Sequence, residues 1–540
     1  MINRLLICLV FTASFVFAEV QPDKTVDIPM RDGETLPADL YLPAQGDPAS
    51  FPCILVRSPA GKKGMFVLPY AELAKEGYVV AIQDTRSVKQ VKEFPYFSDG
   101  WGHLQDGYDT VEWLGKSPYC NGKVGTVGLS AAGITQFLLA PTAPPSLKSQ
   151  YIGVAASSLY HHALYPGGQF SKELVEGWLG YYQKGSGALY FASTQPFYND
   201  YWKCLDANSV SSKVQSPGFI YGGWYDVFLQ GSIDGFLARQ NEGGQGAKGQ
   251  QKLVIGPWTH FWPGVAELGE FTIPEAAKEC PVSLSPLAWF DATLKDKPKD
   301  KSNGVQKISP VTYYVMGPFD GTLSKGNVWR QADSWPPKAT QTCCYLAKEG
   351  MLDFSLPVEK GYSQYRYHPM DPVPTVGGKN LFIESGPKNQ SAIESREDVL
   401  VFTSKTLERD LEVTGRILAK IYVSADYSDT DIVVKLTDVY PDGKSILVAD
   451  GIYRTATNLC SDEGNLQSPC EVTVDLWSTS MVFAKGHKLR VLVTSSNYPR
   501  FEKNHNTGLL GGNSGTFNIV NMRVWHGEKT PSRILLPVID

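Results

Sequence analysis

Residues Asn121–Phe137 read NGKVGTVGLSAAGITQF. A short apolar run, Val124 to Val127, ends at Gly128. Ser130 follows two residues later, then Ala131, Ala132 and Gly133, and then a run with helical spacing. A serine on a tight strand-to-helix turn is the pattern of a nucleophile elbow, which lifts the hydroxyl clear at the carboxyl end of a parallel strand. The same letters suit a plain turn, because Gly, Ala and Ser crowd turns for steric reasons alone. The surrounding chain has to decide between the two.

Upstream, FPCILVRSP and YVVAIQDTR are apolar runs ended by proline or charge. DGYDTVEWLGKS has helical spacing at Tyr108, Val111, Trp113 and Leu114. Asp106 or Asp109 favours its first turn, and Asp109 with Glu112 reads as a solvated face. Downstream, PGFIYGGWYD and QQKLVIGPWTH are two further apolar runs closed by turn residues. Strands alternating with helices predict a parallel sheet covered on both faces. The rhythm breaks at 156–215, where FSKELVEGWLGYYQKG reads as an amphipathic helix among many aromatics and predicts a helical cap inserted over the sheet. Beyond WPPKAT the texture changes to period-two alternation, as in GRILAKIYVSAD and HKLRVLVTSS. Short strands between Gly, Pro and Asp turns predict a β-sandwich.

In an open parallel sheet, ligands meet the carboxyl ends of the strands. Ser130, Asp226 and His260 each follow one such end, in the chain order found when a serine, its orienting acid and its base share an α/β-hydrolase sheet. A serine hydroxyl is a poor nucleophile until a base takes its proton. Histidine titrates near neutrality, and the acid holds the correct tautomer. Each residue has a plainer reading: Asp226 as the cap of a helix starting at Val227, His260 as a packed side chain in an aromatic turn. His161 and His162 are alternative bases, but they fall in the cap.

These segments together resemble the cocaine esterase and X-prolyl dipeptidyl peptidase group of serine hydrolases, which also holds α-amino acid ester hydrolases and glutaryl acylases. VDIPMRDGETLPADLYLPA is similar to its opening hairpin, and GYVVAIQDTR, DGYDTVEWL and YCNGKVGTVGLS to its nucleophile region. GGWYD and GPWTH are similar to its Asp and His motifs. SPLAWFDATLK with NVWRQADSWPP resembles the close of its catalytic domain. DYSDTDIVVKLTDVYPDGKS and GHKLRVLVTSSNYPRFEKNHNTG resemble its carboxy-terminal jelly roll. The resemblance implies an α/β-hydrolase domain (19–155 and 216–337), a helical cap (156–215) and a β jelly-roll domain (338–540). Ser130 becomes the nucleophile, Asp226 the orienter and His260 the base, with no cofactor. The substrate implied is a small-molecule ester or amide; dipeptidyl peptidase activity is the alternative.

Two positions depart from the family. Its oxyanion-hole tyrosine, in a context like Arg-x-Pro-Tyr-Gly, is replaced by Ala60 in VRSPAGKKG, and the tyrosine after its nucleophile by Ala131. The Ala131 N–H can still donate; Lys62, Lys63 or a backbone N–H near Gly61 are the candidates to stand in for the phenol, and without one the hole is short of a donor. The loop DTRSVKQVKEF lacks the family's usual glycines, and two alanines in place of two tyrosines predict a roomier acyl pocket. A peptidase of this group needs acids to hold a free amino terminus. Glu173 and Glu176 are the candidates, with the wet face of the cap helix as their plainer place. A binding protein with a degenerate oxyanion hole is the reading from another class, and the intact Ser130, Asp226 and His260 argue against it.

The 540 residues carry a net charge of −5 without a basic block, which gives nucleic-acid binding no support. MINRLLICLVFTASFVFAEV has a positive flank at Arg4, an apolar run from Leu5 to Phe17 and small residues before a cut after Ala18. It reads as a signal peptide (1–18) of a secreted or periplasmic protein without a membrane span. Eight of the nine cysteines remain after such a cut. Cys460 and Cys470, flanking the turn-rich SDEGNLQSP, are the expected disulfide. Adjacent Cys343 and Cys344 cannot readily pair with each other.

Overall fold

A computed structural model of the chain describes residues 21–89, 96, 98–183, 185–261, 267–295, 308–456, 468–508 and 515–539. The signal-peptide reading, on 1–18, lies outside them.

The first sheet begins with the hairpin β1 (Lys24–Pro29) and β2 (Thr35–Tyr41), followed by β3 (Cys53–Ser58), β4 (Val79–Asp84), β5 (Val124–Leu129), β6 (Leu147–Gly153), β7 (Gly218–Gly223) and β8 (Gln251–Gly256). After a two-residue pair, β9 (Glu267–Leu268) and β10 (Phe271–Thr272), it is completed by β11 (Val311–Val315) and β12 (Val328–Ala332). Spatial order is β1-β2-β4-β3-β5-β6-β7-β8-β11-β12, ten strands, parallel from β4 through β11 and antiparallel at both margins. Ile54 to Val56, Val80 to Ile82 and Leu253 to Ile255 are wholly buried, as strands covered on both faces require.

Helix α1 (Asp106–Lys116) lies beside β1, and α2 (Ala131–Leu139) crosses from β5 to β6. The solvated face expected at Asp109 and Glu112 is not solvated. Asp109 accepts Arg31 N–H at 2.9 Å and the Arg31 guanidinium at 2.8 Å, and Glu112 Oε1 accepts Ser146 N–H at 2.8 Å. Backbone amides of neighbouring turns face that side of the helix, so its acids serve as caps for other segments. Between β6 and β7 the chain forms α3 (Lys172–Tyr181), α4 (Ser186–Ser193) and α5 (Asp200–Lys203), with short helical turns around them. Helix α6 (Leu229–Glu242) returns from β7 to β8.

From Thr340 the strands join an eleven-stranded sheet, antiparallel apart from one parallel pair. Its long strand Leu411–Ala425 alternates as the sequence predicts: Ile417, Ala419, Ile421 and Val423 face inward, Arg416, Leu418, Lys420 and Tyr422 outward. The two sheets meet at Met316, just past β11. Met316 N–H donates to Ser480 O at 2.9 Å and its carbonyl accepts Val482 N–H at 2.8 Å. One continuous apolar core runs across both. Cys470 is disulfide-bonded; Cys460, its expected partner, lies outside the described residues. Cys343 and Cys344 are free thiols.

Under the turn that follows β3, Arg57 Nη1 meets Asp99 Oδ1 at 2.5 Å, with both side chains nearly inaccessible. Burial pushes the Asp99 carboxyl up, against the pull of Arg57. Removing one partner leaves the other charge buried alone, so Asp99→Ala should cost about 3–5 kcal/mol. Urea unfolding measures this, and a loss below about 1 kcal/mol would contradict an obligate pair.

Candidate active site

Strand β5 ends at Leu129, and Ser130 turns the chain with φ 52° and ψ −121° before α2 begins at Ala131. A non-glycine residue with positive φ costs on the order of 1–3 kcal/mol and persists only where its surroundings fix it. Here the glycines do so. A Cβ on Gly128 would lie 2.6 Å from Ala132 Cβ, and one on Gly133 would lie 2.7 Å from Ala155 Cβ, so strand and helix approach closely only because both are absent. Ser130 N–H donates to Gly153 O at 2.9 Å. Gln136 Nε2, reaching back from α2, donates to Gly128 O at 3.2 Å and Tyr151 O at 3.0 Å.

Asp226 and His260 follow β7 and β8, and backbone bonds zip their loops together. Trp224 N–H donates to Gly256 O, and Tyr225 N–H to Trp258 O, each at 2.9 Å. Gly223 makes this approach possible, since a Cβ there would fall 2.3 Å from Trp258 O. His260 Nδ1 lies 2.7 Å from Asp226 Oδ1, and His260 Nε2 lies 2.9 Å from Ser130 Oγ. Asp226 is fully buried. Its Oδ1 also accepts Phe228 N–H at 3.1 Å, so it serves the turn before α6 as well as the imidazole; the helix itself starts at Leu229. The alternative bases are elsewhere: His162 Nε2 is 3.1 Å from Asp234 Oδ2, and His161 packs on Tyr160 and Tyr198.

Ala131 opens α2, so its N–H belongs to the first helical turn, which has no intrahelical acceptor. In the loop after β3, two of the groups expected to stand in for the absent phenol are engaged elsewhere. The Lys62 ammonium pairs with the buried Asp39, and the Lys62 N–H donates to Asp84 Oδ1 at 2.5 Å. The Gly61 N–H is engaged with Ser58 O at 3.2 Å. Among the described residues no such bond engages the Ala60 N–H, and Ala60 is exposed at the loop surface.

Two features escaped the sequence. Glu173 is buried rather than on a wet face. Its carboxylate accepts Leu381 N–H at 3.1 Å and Phe382 N–H at 3.0 Å, tying α3 to the β-rich unit. Burial raises its pKa, against the opposing pull of those amides. Nothing in KELVEGW distinguishes this glutamate from Glu176, which pairs with Lys172. The second feature is an aromatic wall: Phe228 meets the His260 ring edge-on at 5.5 Å, Trp178 lies 6.4 Å from Phe228, and Tyr182 lies 5.9 Å from Trp178. The position of Phe228, two residues after Asp226, was the signal available for it.

An α/β-hydrolase sheet with serine, histidine and aspartate in line at its carboxyl edge is the architecture of serine hydrolases, and this chain is one, acting on esters or amides. It belongs to the X-Pro dipeptidyl-peptidase (S15 family): that model matches residues 32–189 and 178–262, and the model of the X-Pro dipeptidyl-peptidase C-terminal non-catalytic domain matches 303–535. The cocaine esterase of Rhodococcus sp. (strain MB1 Bresler) is 30% identical, over 95% of this chain and 98% of that protein. In fold, an α-amino acid ester hydrolase is similar at TM-score 0.78 with 22% identity, over 99% of this chain and 100% of that one. An aminopeptidase of a marine sediment Thaumarchaeota archaeon is similar at 0.77 and 22%, over 96% of each chain. Among the described residues no helix is long and apolar enough to cross a membrane.

Two substitutions probe this site. Gly128→Val puts a branched side chain into the gap beside Ala132; it should cost about 1–3 kcal/mol and lower kcat by displacing Ser130. Unchanged kcat would mean the elbow tolerates a Cβ there. Lys62→Met should leave Asp39 without its cation and lose about 1–3 kcal/mol, read as a lower Tm, with kcat nearly unchanged. A large fall in kcat at unchanged Tm would instead make Lys62 a transition-state donor.

Proposed function

We propose that this protein is an exported esterase or acylase working through an acyl-enzyme on Ser130. The observation that carries the reading is the unbroken line Ser130 Oγ, His260 Nε2, His260 Nδ1, Asp226 Oδ1. His260 takes the Ser130 proton as Oγ attacks the carbonyl carbon. Asp226 holds the Nδ1–H tautomer and stabilises the imidazolium. Collapse of the tetrahedral intermediate expels the alcohol or amine, which receives the proton from His260. Water, activated by the same imidazole, then releases the acid and regenerates the hydroxyl.

The amides of Ala131 and Ala60 are the proposed oxyanion donors: one from the residue after the nucleophile, one from the loop after β3. The Ala60 amide would stand in for the family's phenol beside the Ala131 amide, and a short alanine in the phenol's place leaves room beside the scissile carbonyl. The aromatic wall at Phe228 and Trp178 favours an apolar or aromatic acyl group. Dipeptidyl peptidase activity is the weaker reading, because Glu173 is engaged with two backbone amides and Glu176 with Lys172, which leaves neither to anchor a free amino terminus. The β-rich unit is read as a jelly roll, and residues 1–18 as the export signal.

A fluorophosphonate probe should label Ser130 in the folded protein. Ser130→Ala should abolish labelling and reduce kcat on a chromogenic ester by roughly 10⁴–10⁶-fold, with Tm little changed. Full turnover by a clean Ser130→Ala preparation would end this mechanism. Acyl esters of graded size, run beside dipeptide substrates, decide between esterase and peptidase.

A further inference from the structure

Where the cap, α6 and the β-rich unit meet, the fold leaves a cavity of about 370 Å³. That is within the range of small-molecule pockets, roughly 300–1,000 Å³. Its wall draws on His162 and Asp206 from the cap, Asp234 from α6, and Arg416, Trp477 and Arg500 from the β-rich unit. Ser130, Asp226 and His260 are not part of that wall.

The charges around this cavity are segregated. At one end a single guanidinium is shared: Arg416 Nη1 lies 3.2 Å from Asp234 Oδ1 and its Nη2 lies 2.5 Å from Asp475 Oδ2. Asp206 adds a third carboxylate, and His161 lies within the field of both Asp206 and Asp234. Burial works to raise the Asp234 pKa, but His162 and Arg416 hold it below the usual range, so the carboxylate stays ionised.

Toward Arg500 the cations outnumber the acids: Arg500 and Asp450 lie on the wall, and Lys379 and Lys435 act on Asp450 from outside it. Arg500 Nη1 lies 2.5 Å from Asp450 Oδ2, and Lys379 Nζ lies 3.6 Å from Asp450 Oδ1. Lys435, whose ammonium donates to Gln390 Oε1 at 3.1 Å, is a third buried cation acting on that carboxylate. Burial pushes both lysines down to about 8, against the pull of Asp450. Glu173, beyond Arg500, is a further acid nearby, and Asp475 also acts on Lys379. Trp477 joins the two ends. Its backbone N–H donates to Asp475 Oδ1 at 2.9 Å, and its ring centre is 5.8 Å from Lys379 Nζ. It is held at φ 67°, where the ladder between Leu411–Ala425 and Cys470–Phe483 shifts register. A bulky residue with that backbone needs over-determined surroundings.

A lone cation satisfies only the acidic end and a lone anion only the basic one. Opposite excesses fixed across a partly desolvated space favour a molecule that carries both charges. We propose that this junction cavity binds a zwitterionic α-amino acid or dipeptide, its ammonium group toward Asp206 and Asp234 and its carboxylate toward Arg500.

Isothermal titration of the full chain with glycylglycine tests the assignment, with glycinamide and acetate as single-charge controls. Saturable binding of glycylglycine, at least about tenfold tighter than either control, is expected, and it should persist after Ser130 is blocked with a fluorophosphonate. Thr473→Trp, at an exposed strand position on the cavity wall, should abolish binding while hydrolysis of an activated ester continues. Asp206→Asn should weaken it about tenfold and provides the second reading if the tryptophan variant fails to fold. Absence of binding, equal binding of acetate or glycinamide, survival of binding in Thr473→Trp, or its loss on blocking Ser130 would each overturn the proposal. None of these results bears on the acyl-enzyme reading, which stands or falls on labelling of Ser130.

Discussion

Ser130 keeps a left-handed backbone because there is no room for a Cβ at Gly128 or Gly133. That steric constraint fixes where β5 must end and how close α2 must run. It also fixes which way the hydroxyl points, and the remaining elements are arranged around the point it defines. Asp226 and His260 reach it from strands β7 and β8, on the same edge of the sheet, and their loops are zipped by two backbone hydrogen bonds. The imidazole therefore has little freedom to turn away. Strain at one residue is held by close packing at several others, as expected where backbone energy is stored for geometry.

Much of this was legible in the sequence because period and order carry it. Fully buried parallel strands read as short apolar runs, and the sequence of Ser, Asp and His at their ends reads in chain order. The alternation in Leu411–Ala425 marks an antiparallel ladder just as directly. What escaped notice depends on partners distant in the chain. Glu173 and Glu176 sit one turn apart on the same helix. Only the loop at Leu381 and Phe382, some two hundred residues later, makes one a buried acceptor and leaves the other outside. Asp109 and Glu112 looked solvated for the same reason: the amides that claim them belong to Arg31 and Ser146. Lys62 read as a candidate oxyanion donor, and it is Asp39, on a strand distant in the chain, that holds its ammonium. Polar side chains announce their chemistry in sequence, but not their partners.

The β-rich unit does more than cover the sheet. It supplies the two amides that hold Glu173, the Phe382 ring that packs where Gly177 lacks a side chain, and the carbonyl of Leu447 that accepts the Tyr225 hydroxyl beside Asp226 at 2.9 Å. Helix α3 and the Asp226 loop are thus braced from outside the sheet that carries Ser130, Asp226 and His260.

The bond pair at Met316 has a consequence for how the molecule comes apart. There the catalytic sheet and the β-rich sheet exchange main-chain hydrogen bonds, and the apolar core passes between them without a break. Separating the two would strand polar backbone groups and open a long apolar seam to water. Segments that sequence texture divides near Pro337 therefore melt as one cooperative body, and heat should find a single transition where domain-counting suggests two.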